Sequence, residues 1–414
     1  LRATIDLRAP WRSLALLDRA QSRALRWCTG GARDLDEVCR GALALPAGLA
    51  PATADRLLAG ARLAEQLRAL GAAASGLVLE ALVDREFVAE GDSATLTLRI
   101  TNRGPTLARA GVFVPSGAAQ QADTIAPGGE LRVQLPLPRY ARTQPWWRTA
   151  GRDGDLFRAP AALVDDEARA DRPTASVPVL VGGVTVQLRA PIVFARVDET
   201  RGEVVTPLAV VPRTSVVLDG GATTLARAGA PLVRDVVVRV TGYGVRPESA
   251  TVALQLPAPL VADVATRRVL LMPGVPQAVA FRVRGTLPAG RHAVRAVATV
   301  NGVAYSEGFE RIAYEHIRPQ HMYAPAVQTI VAVPTAAPPD RPVGYIAGVG
   351  DNVPRALQQL GLTLVPLDPA TLDATTLERL RTIVIGPRAF EASSALLGRM
   401  PLLHDWVRDG GTLV

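Results

Sequence analysis

Apolar residues recur at helical spacing in the first part of the chain. Within residues 51–70 the leucines recur at intervals of three, four and six and form one apolar stripe. This stripe predicts an amphipathic helix that ends at Gly71. Two earlier helices are expected over residues 11–27 and 35–45. We therefore expect residues 1–75 to form a helical connector.

Near residue 77 the period of the apolar positions changes to two. Short runs of alternating apolar and polar residues follow one another, and Gly and Pro separate them. This pattern is typical of an antiparallel β-sandwich, which we place over residues 76–212. The predicted strands are 77–83, 94–100, 110–114, 131–137, 177–181, 184–188 and 204–211.

Residues 213–314 alternate more strongly and predict a second sandwich of immunoglobulin-like or fibronectin-like type. The runs Val236–Val240 and Phe281–Arg284 place Arg on a solvated face and apolar residues on a core face. The predicted strands are 215–218, 232–240, 250–256, 277–283, 290–300 and 309–314.

The last part of the chain has a third pattern. Residues 315–341 are rich in Pro and predict a linker, whereas strand and helix alternate over residues 342–414 and favour a doubly wound parallel sheet. The final run, 412–414, predicts the first residues of a further buried strand. The fold class is therefore multidomain: an N-terminal helical segment, two β-sandwiches and an incomplete α/β domain.

Neither the start of the chain nor its charge changes this picture. The chain begins at Leu1 without a charged or apolar leader, so we expect an internal piece of a longer polypeptide.

The net charge is +8 and the pI is about 10.3, but all 46 basic side chains are Arg and they alternate with acidic residues. A nucleic-acid partner is not expected, because no basic stripe is present. No apolar run is long enough to predict a membrane span.

The chemistry-bearing residues do not form a catalytic pattern. No Gly-x-Ser-x-Gly elbow occurs, and residues 165–167 form an acidic cluster in a polar loop. Cys28 and Cys39 lie in the helical part and predict either one disulfide or two buried thiols. We expect no catalytic residue within this chain.

The histidines are poorly spaced for a metal site. His316 and His321 are five residues apart in a segment interrupted by Pro, which suits neither a helical nor a strand pair of ligands. Together with Tyr314 and Arg318 they are predicted to pack a domain junction, with an exposed carbohydrate or peptide contact as the alternative. No metal ligand is expected here.

One segment concentrates aromatic residues. Tyr140, Trp146, Trp147 and Arg148 lie within nine residues. Indole rings stack on the apolar faces of sugars, and a guanidinium binds hydroxyls or carboxylates, so this group is a candidate substrate-binding surface. The alternative is that the tryptophans fill an edge of the sandwich core.

A Gly-containing loop follows the first strand of the α/β domain. Gly348, Gly350, Asp351 and Asn352 precede a predicted helix, where a phosphate would meet backbone N–H groups. The loop lacks the third Gly of the dinucleotide fingerprint. An N-cap at Asp351 or Asn352 with Pro354 in the first turn explains the composition without a ligand.

Five short segments follow one another along the chain: Asn102–Gly104, Thr143–Trp147, Tyr314–Pro319, Val343–Asp351 and Trp406–Val414. In this order they resemble the C-terminal region of large bacterial PIG-L/LmbE-family deacetylases. That resemblance implies helices, β-sandwich modules of the NEW3 type over residues 213–314, and a domain similar to class I glutamine amidotransferases. It also implies an upstream zinc domain that removes acetyl groups from N-acetylglucosamine-type substrates.

Three hypotheses follow from the residues and the resemblance. The first is an accessory region that positions a glycan for an upstream zinc-dependent deacetylase, with zinc held there and no cofactor in this chain. The second is a free-standing carbohydrate or cell-surface binding protein. The third is an enzyme whose site lies in the incomplete α/β domain. The resemblance implies export to the periplasm or beyond for the parent protein.

Overall fold

A computed structural model gives the fold, which is mainly β with few helices. Contacts divide the chain into two units: unit 1 is 1–213 with 243–245 and 309–323, and unit 2 is the remainder. The structure describes residues 14–29, 51–111, 123–148, 152–153, 155–157, 173–220, 223–336 and 340–414.

Among its described residues, unit 1 has two α-helices, which pack on each other and on the sheet. They are α1, Leu14–Thr29, and α2, Pro51–Ser75, and they lie where helices are predicted over residues 11–27 and 51–70. The end predicted at Gly71 is wrong, because α2 continues through the following alanines, which favour helix, to Ser75. The helix predicted over residues 35–45 falls outside the described residues. The strands of unit 1 are β1 Leu77–Val83, β2 Phe87–Ala89, β3 Thr95–Asn102, β4 Ala108–Ala110, β5 Asp123–Ile125, β6 Glu130–Pro136, β7 Arg152–Asp153, β8 Leu156–Phe157, β9 Thr174–Val181, β10 Val184–Asp198, β11 Gly202–Pro207 and β12 Ala209–Val211.

One long strand, β10, joins the two halves of the main sheet. Through residues 184–191 it pairs with β9, and through residues 192–198 it pairs with β1 and β11. Buried residues from both halves belong to one apolar cluster, which the apolar faces of α1 and α2 also join. Two pairings, β1 with β10 and β2 with β12, are parallel, so the expectation of a purely antiparallel arrangement is wrong at these places.

A buried amide fixes the turn after β3. Asn102 is fully buried; its Nδ2 donates to the carbonyls of Thr106 and Ile125 at 2.9 and 3.0 Å, and its Oδ1 accepts from the Gly104 amide at 3.0 Å. A β-carbon on Gly104 would lie 2.3 Å from the Ser75 carbonyl oxygen. The Asn-Arg-Gly sequence is therefore explained by the close approach of this turn to the end of α2.

Unit 2 begins with two sheets that share an apolar core. The first has the order β13-β15-β19-β17 and the second β14-β24-β20-β16-β18, with β21 on β20. Residues 309–323, which unit 1 includes, carry most of a ladder between β22 and β23. The strands of unit 2 here are β13 Thr214–Leu218, β14 Thr223–Arg227, β15 Leu232–Gly242, β16 Glu248–Gln255, β17 Val261–Ala262, β18 Thr266–Leu271, β19 Pro276–Gly285, β20 Gly290–Val300, β21 Val303–Tyr305 and β24 Val327–Val333. Most of β22, Glu307–Ile312, and of β23, Gln320–Pro325, belongs to unit 1.

The predicted linker over residues 315–341 contains two of these strands. β24 lies between β14 and β20, and its Ile330 and Ala332 are buried in the core. The run Val327–Val333 alternates buried and half-buried positions, so its period of two was available in the sequence but was hidden by the surrounding prolines.

The rest of unit 2 is a small α/β arrangement. Four strands are parallel in the order β26-β25-β27-β28, which places the first strand inside and the second at an edge, as in doubly wound sheets. Its elements are β25 Val343–Ile346, α3 Val353–Gln359, β26 Leu364–Leu367, α4 Ala374–Glu378, β27 Thr382–Ile385, α5 Ala389–Ala392, α6 Ala395–Arg408 and β28 Thr412–Leu413.

Candidate functional site

The two adjacent tryptophans lie on a turn that is tied to strand β12. The Thr143 amide donates to the Val210 carbonyl at 3.0 Å, and the Val210 amide donates to Thr143 Oγ1 at 3.0 Å. Pro145 is buried, and its carbonyl accepts from the Arg148 amide at 2.9 Å. The following 3-10 turn, Trp146–Arg148, is therefore held in one place by its own backbone.

The ring geometry at this turn forms a corner. The ring centroids of Trp146 and Trp147 are 5.8 Å apart with an interplanar angle of 88°, so the edge of one ring meets the face of the other. Trp146, Trp147 and Arg148 are all half-exposed. Arg148 Nη1 also lies 4.0 Å from Met322 Sδ. The turn thus presents apolar ring surface and a guanidinium on the outside of unit 1.

Tyr140 has a different environment. Its ring packs against the core of unit 1 and its hydroxyl donates to the Thr174 carbonyl at 3.5 Å. Burial raises the pKa of this phenol above its ordinary value. Of the four residues grouped from the sequence, Tyr140 therefore serves the core, and the other three share the turn.

His321 belongs to an aromatic cluster inside unit 1. Its ring lies edge-on to Phe87 and Phe309, with centroids 5.6 and 5.1 Å away, and Tyr243 and Tyr323 pack against the same Phe309 at 5.5 and 5.4 Å. His321 is only 8% exposed. Such a cluster contributes packing energy and leaves no open face for a ligand at His321.

Burial controls the charge of His321. Desolvation, followed by the positive charge of Arg311, lowers its pKa to about 4. Arg311 in turn forms an ion pair with Glu86 at 3.0 Å. His321 is therefore neutral at neutral pH.

The other residues of the predicted junction lie at the surface of unit 1. Tyr314 and His316 are exposed and stack on each other with centroids 5.9 Å apart, while Arg318 is half-buried. His316 and His321 thus occupy unlike environments. Within the described part of the chain, no three His, Cys, Asp or Glu side chains converge as a metal site would require.

The Gly-containing loop of the α/β domain closes on its own carboxylate. Asp351 accepts hydrogen bonds from the Tyr345 hydroxyl at 2.7 Å and from the Gly348 and Val353 amides at 3.1 and 3.0 Å. These bonds, that of Tyr345 first, lower the pKa of Asp351, and burial followed by the Asp351 bond raises that of Tyr345. The N-cap of α3 is Asn352, which makes no side-chain capping bond.

The Gly348–Asn352 loop lies where sheets of this kind usually bind a ligand. It follows β25, and a β-carbon on Gly348 would lie 2.0 Å from the carbonyl oxygen of Pro387, which follows β27. Adjacent strands whose loops meet at the carboxyl edge form the usual ligand position of such sheets. Here Asp351 takes the amides that a phosphate would need, and its charge repels an anion. Gly350, with φ of 61°, shapes the turn.

Sequence reasoning missed a polar cavity in unit 2. Arg234 on β15, Thr224 on β14 and Gln328 on β24 line a space of about 410 Å³ together with Arg355 of α3. The signal was present, because Arg234 is in phase with the core positions Val236 and Val238 rather than with the solvated face.

Three features that the sequence singled out cannot be placed in the fold. The side chain of Cys28, all of Cys39 and the acidic run 165–167 fall outside the described residues. Among the helices that are described, none combines the length and the apolar character needed to cross a membrane.

Comparison with models of known protein families gives no match, and comparison with curated proteins gives none either. Solved structures to which it is similar are bacterial alpha-2-macroglobulins. The Salmonella protein reacted with methylamine is 14% identical over 64% of this chain and 16% of that chain, with a TM-score of 0.23. The native Escherichia coli protein is 11% identical over 64% and 17%, also with a TM-score of 0.23. The chain spans about a sixth of the length of these proteins, and TM-scores this low support no conclusion about a common fold or function.

Proposed function

We propose that this chain is a non-catalytic accessory region that contacts a glycan and positions it for a zinc-dependent deacetylase of the PIG-L/LmbE type. The observation that carries the proposal is the indole corner of Trp146 and Trp147, which is partly exposed and has Arg148 beside it. The deacetylase assignment rests on the sequence resemblance, and the zinc and the reacting groups belong to an upstream catalytic domain. The residues of this chain support only the glycan contact in this proposal.

The turn offers ring surface on which a sugar can stack. Both indoles keep part of their surface in solvent, and the turn that carries them is anchored by Thr143. Anchoring reduces the ordering cost of binding, since the rings are already in place before a ligand arrives. A hexose offers one apolar CH face for stacking and a rim of hydroxyls for Arg148.

The test is a fluorescence titration of the full chain with chitotetraose. Stacking on an indole changes its emission, so we expect a saturable change that is lost in Trp146→Ala and in Trp147→Ala. Tyr140→Phe is the matched control and should respond as the unaltered chain does, because Tyr140 serves the core. An unchanged spectrum of the unaltered chain would return the tryptophans to a packing role and overturn the proposal.

A second measurement separates the deacetylase assignment from carbohydrate binding in general. Cellotetraose has the same backbone as chitotetraose but lacks the acetamido groups. Preference for chitotetraose supports an N-acetylglucosamine-type substrate, while equal affinity favours the free-standing carbohydrate-binding protein. The chain alone should not deacetylate chitotetraose with added zinc, and measurable turnover would contradict the accessory role.

A further inference from the structure

One end of the unit 2 sandwich is polar on its inward face. Arg234 stands two residues before buried Val236 and shares its face of β15, although this row is otherwise apolar. Thr224 and Gln328, at 3% and 4% exposure, occupy core-facing rows of β14 and β24. Polar residues at core positions reduce stability unless they are satisfied, so their concentration at one end indicates a built site.

Hydrogen bonds hold this end in a defined geometry. Arg234 Nη1 donates to Thr224 Oγ1 at 2.9 Å and its Nη2 donates to the Leu225 carbonyl at 2.7 Å. The Leu225 amide donates to Gln359 Oε1 at 2.7 Å, which ties α3 to β14. Gln328 Nε2 donates to the Asp219 carbonyl at 3.2 Å. The cavity of about 410 Å³ therefore has preorganised walls.

Two guanidinium groups face this cavity. Arg355 lies against Gly220, where a β-carbon would be 2.5 Å from its Nη2, so the glycine makes room for the cation. Burial, and then the like charge of Arg355, lower the pKa of Arg234. No carboxylate among the described residues lies within ion-pair distance of Arg355.

Two acidic residues, Asp219 and Asp235, also line the cavity, and each has a basic neighbour of its own. Asp219 forms an ion pair with Arg239 at 2.8 Å. Asp235 lies directly opposite Arg282 in the ladder of β15 and β19, a position in which opposite charges attract. A surplus of positive charge therefore remains at Arg234 and Arg355, and it suits an anion.

We propose that this cavity binds a small molecule with a carboxylate and several hydroxyls, of the acidic-sugar class. The guanidinium fork of Arg355 matches a carboxylate, Arg234 adds positive charge while it holds β14, and the Thr and Gln side chains match hydroxyl groups. The volume suits one or two sugar rings. This site shares no residue with the indole corner. The proposal therefore goes beyond the proposed glycan contact, and a failure of either one leaves the other unaffected.

The experiment is isothermal titration calorimetry of the full chain with D-glucuronate, D-glucose and inorganic phosphate. We expect saturable binding of glucuronate at one site and a loss of affinity of about tenfold or more in Arg355→Gln. Arg355 is exposed on α3, so its replacement should leave the fold intact, which circular dichroism checks. Arg268→Gln is the matched control, because Arg268 is an exposed unit 2 arginine outside the cavity.

Each outcome decides the proposal. Absence of glucuronate binding, equal binding of glucose, or unchanged affinity in Arg355→Gln would overturn it. Phosphate that binds as tightly as glucuronate would also overturn it, because the hydroxyl contacts would then contribute nothing. Arg234→Gln should weaken binding as well, but Arg234 also holds β14, so the Arg355 variant carries the decision.

Discussion

Replacement of Asn102 by Ala is expected to destabilise unit 1 strongly. The side chain is fully buried and makes three hydrogen bonds of 2.9 to 3.0 Å, two as donor and one as acceptor. Each such bond contributes about 1 kcal/mol net, and a buried group left without its partner costs about 1–3 kcal/mol. The variant should therefore lose about 3–5 kcal/mol of unfolding free energy, at the upper end for a single substitution.

Urea unfolding followed by circular dichroism and Trp fluorescence measures this loss. Asn352→Ala is the matched control, because Asn352 is exposed and its side chain makes no capping bond. That control should change stability by less than about 0.5 kcal/mol. A loss below about 1 kcal/mol for Asn102→Ala would mean that water or backbone movement replaces the amide. The close approach of this turn to α2 would then not depend on Asn102.

Three further predictions concern single residues. The pKa of Asp351 is lowered from 3.8, so its stabilising bonds are complete above that pH and are lost below it; thermal unfolding should show a smaller acid loss in Asp351→Asn. The pKa of His321 falls from 6.5 to about 4, so stability should decline as the pH falls through that window. His321→Phe should flatten the decline, whereas exposed His316→Gln should leave it unchanged. Gly398 lies exposed in α6 with open space around it, and Gly398→Ala should raise the unfolding free energy by up to about 1 kcal/mol.

Local periodicity predicted most elements of the fold. The strongly alternating β15 and β20 lie where their patterns place them, and so does α2 up to Gly71, beyond which it continues to Ser75. The parallel pairing of β1 with β10 had no local signal, because strand direction depends on which distant segment becomes the neighbour. β24 was missed for another reason. Prolines flank it on both sides and suggested a linker, although its own residues alternate in burial as a strand requires.

At the candidate sites, too, the sequence predicted what neighbouring residues determine and missed what contacts between distant residues determine. Composition alone indicated the Trp146–Arg148 surface, but only the fold separates it from Tyr140, which packs the core. For the Gly348 loop, the sequence allowed either a phosphate or a cap. The structure adds the bonds from Tyr345 and the amides to Asp351, which a sequence pattern does not contain because the partners meet only when the sheet forms.

The two proposed sites depend on different forces, so ligand binding at the two sites should respond differently to salt concentration. Stacking of a sugar on Trp146 or Trp147 removes apolar surface from water and is nearly independent of ionic strength. Recognition of a carboxylate by Arg355 is electrostatic, and Arg355 is exposed, so it weakens as the Debye length falls from about 10 Å at 0.1 M salt to about 3 Å at 1 M. Repeating both titrations across that range should leave the chitotetraose response in place and reduce glucuronate affinity. A chitotetraose response that weakened as steeply as the glucuronate response would contradict stacking as its source, because an uncharged sugar makes no ion pair for salt to screen.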